Sequence, residues 1–289
     1  IGKALLPGLL SDRHKVTAHR NKRSLGYKHP DLLEIICDIS EIKSLVTMKF
    51  DLVIHLACEG ISSRKTTHDS LFTTNVKGTL EILELAELNN ASVIVAGSFA
   101  EYGLSALNYS EIPVDAPLIP TYAYAASKAS QSTLCKNYAL TRSLNMFYLR
   151  IFNVFGDGLP DSYIWNGIKS AARANRLLKL SPGNQIRDFI HISSVTAVIL
   201  ELTKIPFTGY KALNVGSGYP LCIREFAKYW WKYWKATPEL LQIGGLPYRE
   251  GDLMRYIPFI ENNILNIARR VYDYSWCEEL SRQSEQIPN

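Results

Sequence analysis

No run of 18 or more apolar residues occurs in this chain, so no segment reads as a membrane-spanning helix. The N-terminus as given carries no secretory signal pattern. Cysteine is scarce: Cys37, Cys58, Cys135, Cys222 and Cys277 lie far apart. Their spacing fits no metal site, and an odd number argues against a closed disulfide set. The expectation is a protein without a metal, in a reducing cytoplasm. Charge is nearly balanced, +5 net with no long basic stripe, which argues against a nucleic-acid surface. Methionine is rare, three in 289 residues, and the first is Met48. There is no internal repeat and no low-complexity segment. At 47% hydrophobic residues, the composition is that of a globular chain of one large or two modest domains.

Strands alternate with helices along the first half. Ile1–Leu10 is an amphipathic helix already under way. Lys15–His19, Leu33–Cys37, Leu52–Leu56, Ser92–Ala96 and Asn145–Val154 read as strands. Leu71–Asn89 and Tyr122–Leu144 read as helices. This rhythm predicts an α/β fold with a doubly wound parallel sheet. Beyond Gly156 the rhythm changes. Aromatics crowd Phe226–Trp234, and Pro238, Pro247 and Pro258 punctuate the segment after them. The aromatic run predicts the core face of a helix, with Lys228, Lys232 and Lys235 wet. Residues 1–155, with a return segment near 188–215, are expected to form a dinucleotide-binding domain. Residues 156–187 and 216–289 are expected to form a smaller substrate domain.

The chemistry concentrates in Tyr124-Ala-Ala-Ser-Lys128. A Tyr and a Lys four apart on a helix share one face. An ammonium beside a phenol lowers the phenol's pKa and prepares it to move a proton at a carbinol or carbonyl oxygen. About one such pair arises by accident in a chain with 16 tyrosines, so the context decides. Upstream, the buried strand Ala91-Ser-Val-Ile-Val-Ala96 runs into Gly97-Ser98. A polar residue at the carboxyl end of a parallel strand lies where open α/β sheets bind ligands. Ser98 is thus placed to hold the oxygen that Tyr124 protonates, or else to cap the next turn.

Seven motifs in this order resemble the extended short-chain dehydrogenase/reductases that act on nucleotide-linked sugars. They are Asp51–Ala57, Asn75-Val-Lys-Gly78-Thr79, Gly97-Ser98 through Tyr102-Gly103, Tyr124 to Lys128, Leu149–Gly156, Arg187-Asp-Phe-Ile-His191 and Asn214–Gly218. The resemblance implies a Rossmann-like sheet and a nicotinamide cofactor. It implies Ser98, Tyr124 and Lys128 as catalytic residues, with Tyr124 and Lys128 also touching the cofactor. For cofactor contacts it points to Gly2, Asp38, Ile39, Leu56, Ala57 and Asn75. Asn153, Arg187 and Arg249 correspond to positions near the substrate's nucleotide or diphosphate, and Arg suits phosphate because its planar fork binds oxygens in pairs. Asp188 and His191 read as structural, with Ser193-Ser194 capping the helix from Val195. Asp38 has a second reading as a helix cap. The family places a strand and a glycine-rich turn before a helix like Ile1–Leu10. Ile1-Gly2 therefore reads as the last step of a fingerprint whose earlier part precedes this sequence. The resemblance also implies a homodimer through the helices Leu71–Asn89 and Tyr122–Leu144.

NAD-binding folds place an acidic residue at the end of the second strand. This chain has His19-Arg20-Asn21-Lys22-Arg23 there. Arginine near that site accommodates a 2′-phosphate, so Arg20 and Arg23 favour NADP(H), with NAD(H) the alternative. The family's 4,6-dehydratases carry an Asp-Glu pair directly after the hydroxyl residue; here stand Phe99 and Ala100. Its C3/C5 epimerases use a Cys close to that Ser, and neither neighbour of Ser98 is one. A 4-keto-6-deoxy sugar-nucleotide reductase and a C4 epimerase remain, the basic strand end favouring the reductase. Gly183–Ile190 is similar to reductases that finish deoxyhexoses, such as CDP-abequose or CDP-paratose synthases. A non-catalytic binder of dinucleotide or nucleotide sugar on the same fold stays open.

Overall fold

The computed structural model describes the chain apart from residues 23, 46, 61–65, 160–162 and 285–289. From the N-terminus run α1 (Gly2–Ser11), β1 (Val16–Arg20), β2 (Leu32–Ile36), α2 (Ile42–Leu45), β3 (Leu52–His55), α3 (His68–Phe72), α4 (Gly78–Asn89) and β4 (Ser92–Ser98). Next come α5 (Ala123–Thr141), β5 (Met146–Ile151), β6 (Asn153–Phe155), α6 (Tyr163–Arg173), β7 (Leu178–Leu180), β8 (Ile186–His191) and α7 (Ile192–Thr203). The rest is β9 (Tyr210–Val215), β10 (Pro220–Cys222), α8 (Ile223–Tyr233), β11 (Leu241–Ile243), β12 (Arg255–Tyr256), α9 (Asn262–Arg270) and α10 (Ser275–Ser284). No helix among the described residues is long and apolar enough to cross a membrane.

Parallel strands in the order β3-β4-β5-β9 form the central sheet. Alternation along each strand sends side chains to opposite faces. Ile94, Phe147, Leu149 and Ile151 face a core shared with α1 and α7. Val93, Val95, Met146 and Tyr148 face α4 and α5. Both faces are covered, which is why β4 and β5 are near-continuous apolar runs. The expected doubly wound α/β sheet is present, in two parts. β1 and β2 pair only with each other, as a separate two-stranded sheet. Strand pairing needs edges about 4.8 Å apart. Instead β1 and β3 both line a groove of about 2500 Å³.

The aromatic run forms the inner face of α8. Phe226, Trp230 and Trp231 are buried against Phe155 and Trp165, while Lys228 and Lys232 are exposed. Asp188 is fully buried and accepts backbone N–H bonds from Ser217 (2.7 Å) and Gly218 (2.7 Å). It thereby ties β8 to the loop after β9. The cap of α7 differs from the sequence expectation. His191, not the serine pair, is its N-cap: the ring nitrogen accepts from the Ser193 N–H, and the ring stacks on Tyr272 at 4.0 Å. A ring pinned this way places its nitrogen over the first turn, a role composition does not suggest.

His55 ends β3 in the interior, 3% exposed, with Nε2 2.9 Å from Thr79 Oγ1. Burial, then the Lys128 ammonium and His19, push its pKa down to about 3. A histidine lowered in the folded state contributes stability above its unfolded value near 6.5, and loses it as pH falls towards the folded value. Between pH 7 and pH 5 the expected loss from this group is about 2 kcal/mol. Urea denaturation should therefore show the unaltered protein losing about 2 kcal/mol more over that interval than His55→Gln.

Candidate active site

β4 carries the site at its carboxyl end because Gly97 lets the strand lie close to β5. A Cβ at Gly97 would fall 2.3 Å from the Tyr148 ring. The Ser98 N–H donates to Glu101 Oε1 (2.7 Å), and Ser98 Oγ accepts from the Ala100 N–H (3.3 Å). The two residues cap the short helical turn Phe99–Tyr102 reciprocally. Ser98 thus caps a turn, and its hydroxyl also lies near enough to the Tyr124 phenol to oppose the rise of its pKa. Gly60 closes over the tyrosine ring from the other side. Its φ is +95°, and a Cβ there would lie 2.7 Å from Tyr124 Cδ2.

Burial pushes the Tyr124 phenol well above its ordinary pKa; the nearby Cys58 sulfur adds to the rise and the Ser98 hydroxyl opposes it. This differs from the lowering expected of a Tyr/Lys pair. Lys128, 1% exposed, donates instead to the Ala96 carbonyl (2.7 Å) and to Gln131 Oε1. Desolvation dominates, and the phenol holds its proton. Spacing along the chain does not point to Cys58. It comes after β3, and the sheet brings it to Tyr124 from a distant part of the chain. Its own thiol is raised, chiefly by burial.

Beneath Ser98 lies Glu101, fully buried and ion-paired to Arg150 at 2.9 Å. Tyr148 Oη donates to the same carboxylate at 2.8 Å. Arg150 directs its other donors to the Val114 carbonyl (2.7 Å) and Ser132 Oγ (2.9 Å). Asn75 sits on a π-helical turn, Thr73–Lys77, between α3 and α4. Such wide turns recur at functional sites. Its side chain accepts from Glu59 N (2.8 Å) and donates to Glu59 O (3.1 Å) and Ser127 Oγ (2.9 Å). Ser127 in turn donates to the Tyr124 carbonyl at 2.8 Å. Asn75 therefore shapes the site rather than presenting a free amide.

The groove between the two sheets gathers Gly2, Arg20, Asp38, Ile39, Leu56 and Ala57 along its walls. Gly2 opens α1 against Leu56, 3.7 Å from where its Cβ would be, and α1 has no side-chain cap. Uncapped first-turn N–H groups suit an anion. Asp38 caps the turn Ile39–Glu41, accepting from the Ser40 N–H (3.0 Å) and hydroxyl (2.7 Å), while still bordering the groove. Arg23 lies outside the described residues. The length and lining of these walls suit an elongated ligand such as a dinucleotide. Among the described residues no cluster of three or more His, Cys, Asp or Glu side chains is placed to hold a metal.

The substrate candidates divide. Arg187 is not a surface residue. It is 8% exposed, its Nη2 donates to the Leu253 carbonyl at 2.7 Å, and its guanidinium lies 5.2 Å over the Tyr256 ring. Burial lowers its pKa, countered by Asp252, Tyr256 and Tyr122. Tyr122 stacks on Tyr124 at 6.3 Å, so aromatic rings run from Tyr124 towards this cation. Phe99 completes the wall, 5.4 Å from Phe152 and 5.2 Å from Tyr256. Asn153 directs its amide to the Asp188 carbonyl at 3.2 Å. Arg249 is exposed on the turn after β11, with its backbone N–H 3.4 Å from Asp252 Oδ2.

Known proteins resemble this chain in sequence and in fold. The chain is 30% identical over 203 residues to a UDP-N-acetyl-alpha-D-glucosaminuronate decarboxylase of Bacillus cytotoxicus, covering 67% of this chain and 62% of that protein. It is 30% identical over 190 residues to a GDP-6-deoxy-D-mannose reductase of Pseudomonas aeruginosa, covering 61% of this chain and 60% of that one. The matches thus span less than two thirds of these relatives' length. In three dimensions the chain is similar to dTDP-glucose 4,6-dehydratase from Streptomyces venezuelae, solved with NAD bound. The TM-score is 0.83 at 19% identity, over 99% of this chain and 94% of that one. The model of the NAD dependent epimerase/dehydratase family matches residues 1–216, and the chain belongs to that family.

Proposed function

We propose that this chain reduces the 4-keto group of a nucleotide-linked 6-deoxy sugar with NADPH. One observation carries the reading. A protonated phenol, Tyr124, meets the Ser98 hydroxyl at the end of β4, and the next two residues are Phe99 and Ala100. The site can deliver one proton to an oxygen but has no acid/base pair there to expel water from the neighbouring carbons. The relative named GDP-6-deoxy-D-mannose reductase supports the same direction.

Each residue has its own part in that reaction. A nicotinamide cofactor in the groove would supply the hydride. Tyr124 gives its proton to the oxygen that gains negative charge. Ser98 Oγ accepts from the Ala100 N–H and keeps its own proton as a donor, which would turn from the Tyr124 phenol to that oxygen when substrate binds. Lys128 places a positive charge beneath the pair. Arg187 is buried and donates to the neutral carbonyls of Ile186 and Leu253, so its charge is available to hold the substrate's diphosphate. Asn153 and Arg249 border that region through Asp188 and Asp252. With Tyr124→Phe, turnover of a 4-keto-6-deoxy sugar nucleotide should fall by about 10²–10⁴-fold. Cofactor affinity and thermal midpoint should stay unchanged. Turnover at the unaltered level would remove Tyr124 from the chemistry.

NADPH is the proposed reductant because Arg20 and Lys22 stand at the end of β1 where an acidic residue would hold a ribose hydroxyl. The second reading, an NAD-dependent C4 epimerase, is favoured by the NAD bound in the similar dehydratase structure. Fluorescence titration distinguishes them. Arg20→Ala should weaken NADPH by about ten-fold or more and NADH little. Equal losses would favour the epimerase.

A homodimer through α4 and α5 is also proposed. Leu88 and Leu140, each 65% exposed, leave apolar surface on these two helices, which contact each other. Sedimentation at micromolar concentration should show a dimer, and Leu88→Lys with Leu140→Lys should give a monomer.

A further inference from the structure

Lys128 has three ammonium protons and a long, flexible stem. Its field on Tyr124 and on a bound ribose depends on where that ammonium rests. Two neutral acceptors hold it: the Ala96 carbonyl at 2.7 Å and Gln131 Oε1. Gln131 is fully buried on α5, one turn beyond Lys128. A glutamine amide can face either way, so something must turn its oxygen towards the ammonium.

Thr79 does this. Its hydroxyl donates its proton to the Asn75 carbonyl at 2.7 Å. Thr79 Oγ1 can then only accept, and two donors meet it: Gln131 Nε2 at 2.7 Å and His55 Nε2 at 2.9 Å. His55 is neutral and donates from that nitrogen. Each hydrogen in the chain Lys128–Gln131–Thr79–Asn75 therefore has one consistent direction. The chain is anchored at the π-helical turn, and Asn75 also holds Ser127, which bonds the Tyr124 carbonyl. One turn of helix thus supports both members of the Tyr/Lys pair.

We propose that Gln131, oriented by Thr79, is a positioning residue that fixes the Lys128 ammonium for the proton step at Tyr124. This rests on the reading of Tyr124 as proton donor. Because both ammonium acceptors are neutral, Lys128 keeps its full charge for the phenol and the cofactor, which a carboxylate at 131 would cancel. The third ammonium proton is left for a ligand.

The experiment compares the unaltered chain with Gln131→Met, Thr79→Val and Thr79→Ser. Turnover is measured with NADPH and a 4-keto-6-deoxy sugar nucleotide. The ¹⁵Nζ resonance of Lys128 is followed in parallel, assigned by its loss in Lys128→Arg. Gln131→Met and Thr79→Val should lower kcat about ten-fold, as expected for a lost hydrogen bond to a charged group, with KM changed less than about two-fold. Both should shift the Lys128 resonance. Thr79→Ser keeps the hydroxyl and should restore both readings, separating orientation from packing. Unaltered kcat, or a loss of kcat with the resonance unmoved, would overturn the proposal. If the unaltered protein turns over no nucleotide sugar, the proposed function falls. An unmoved resonance in Gln131→Met and Thr79→Val would then overturn the positioning role independently.

Discussion

The buried carboxylate of Glu101 is the constraint on which this site rests. A charge removed from water is costly unless it is paired and hydrogen-bonded. Glu101 meets both conditions, with the Arg150 guanidinium on one oxygen and the Ser98 N–H and Tyr148 hydroxyl on the other. These partners come from β4 and β5. Satisfying one carboxylate therefore locks the end of the sheet in one arrangement. Loss of a partner in such a buried pair costs about 3–5 kcal/mol, so alternatives to this geometry are poorly populated. The turn after Ser98, the position of its hydroxyl and the packing of Gly97 on Tyr148 all depend on it.

Around that point the molecule divides its duties. Ser98, Tyr124 and Lys128 sit on β4 and α5, with apolar cores on either side of the sheet. The groove is more open, built from the edges of two separate sheets and the start of α1. Rigid elements suit groups that must meet within hydrogen-bond distance. An open groove suits a long ligand that contributes many of its own contacts. The aromatic wall from Tyr124 to Tyr256 joins the two regions to the buried Arg187.

Much of the fold was legible because it rests on local patterns. Alternating apolar strands such as Ser92–Ser98 and the helix that carries Tyr124 and Lys128 are written in spacings of two and of three to four residues. The stacking of His191 on Tyr272 at the start of α7 was not written there, because side-chain contacts are decided between segments distant in sequence. The direction of the Tyr124 pKa was missed for a related reason. The Tyr/Lys spacing reports the neighbour but not the burial, and burial wins. Arg187 and His191 show the same limit: an arginine in sequence looks solvated, and a histidine does not look like a helix cap.

Residue order alone determined which elements form, that both faces of the sheet are covered, and that a hydroxyl, a phenol and an ammonium stand near one strand end. Those features need only short-range periodicity and residue type. Tertiary structure decided what the groups touch. Cys58 reaches Tyr124, Gln131 accepts a hydrogen bond from Lys128 and donates one to Thr79, and Glu101, paired with Arg150, holds the Ser98 N–H. Each of these depends on directional hydrogen bonds or desolvation between residues brought together by packing. Energies of that kind vary over a few tenths of a nanometre, a scale that sequence spacing does not encode.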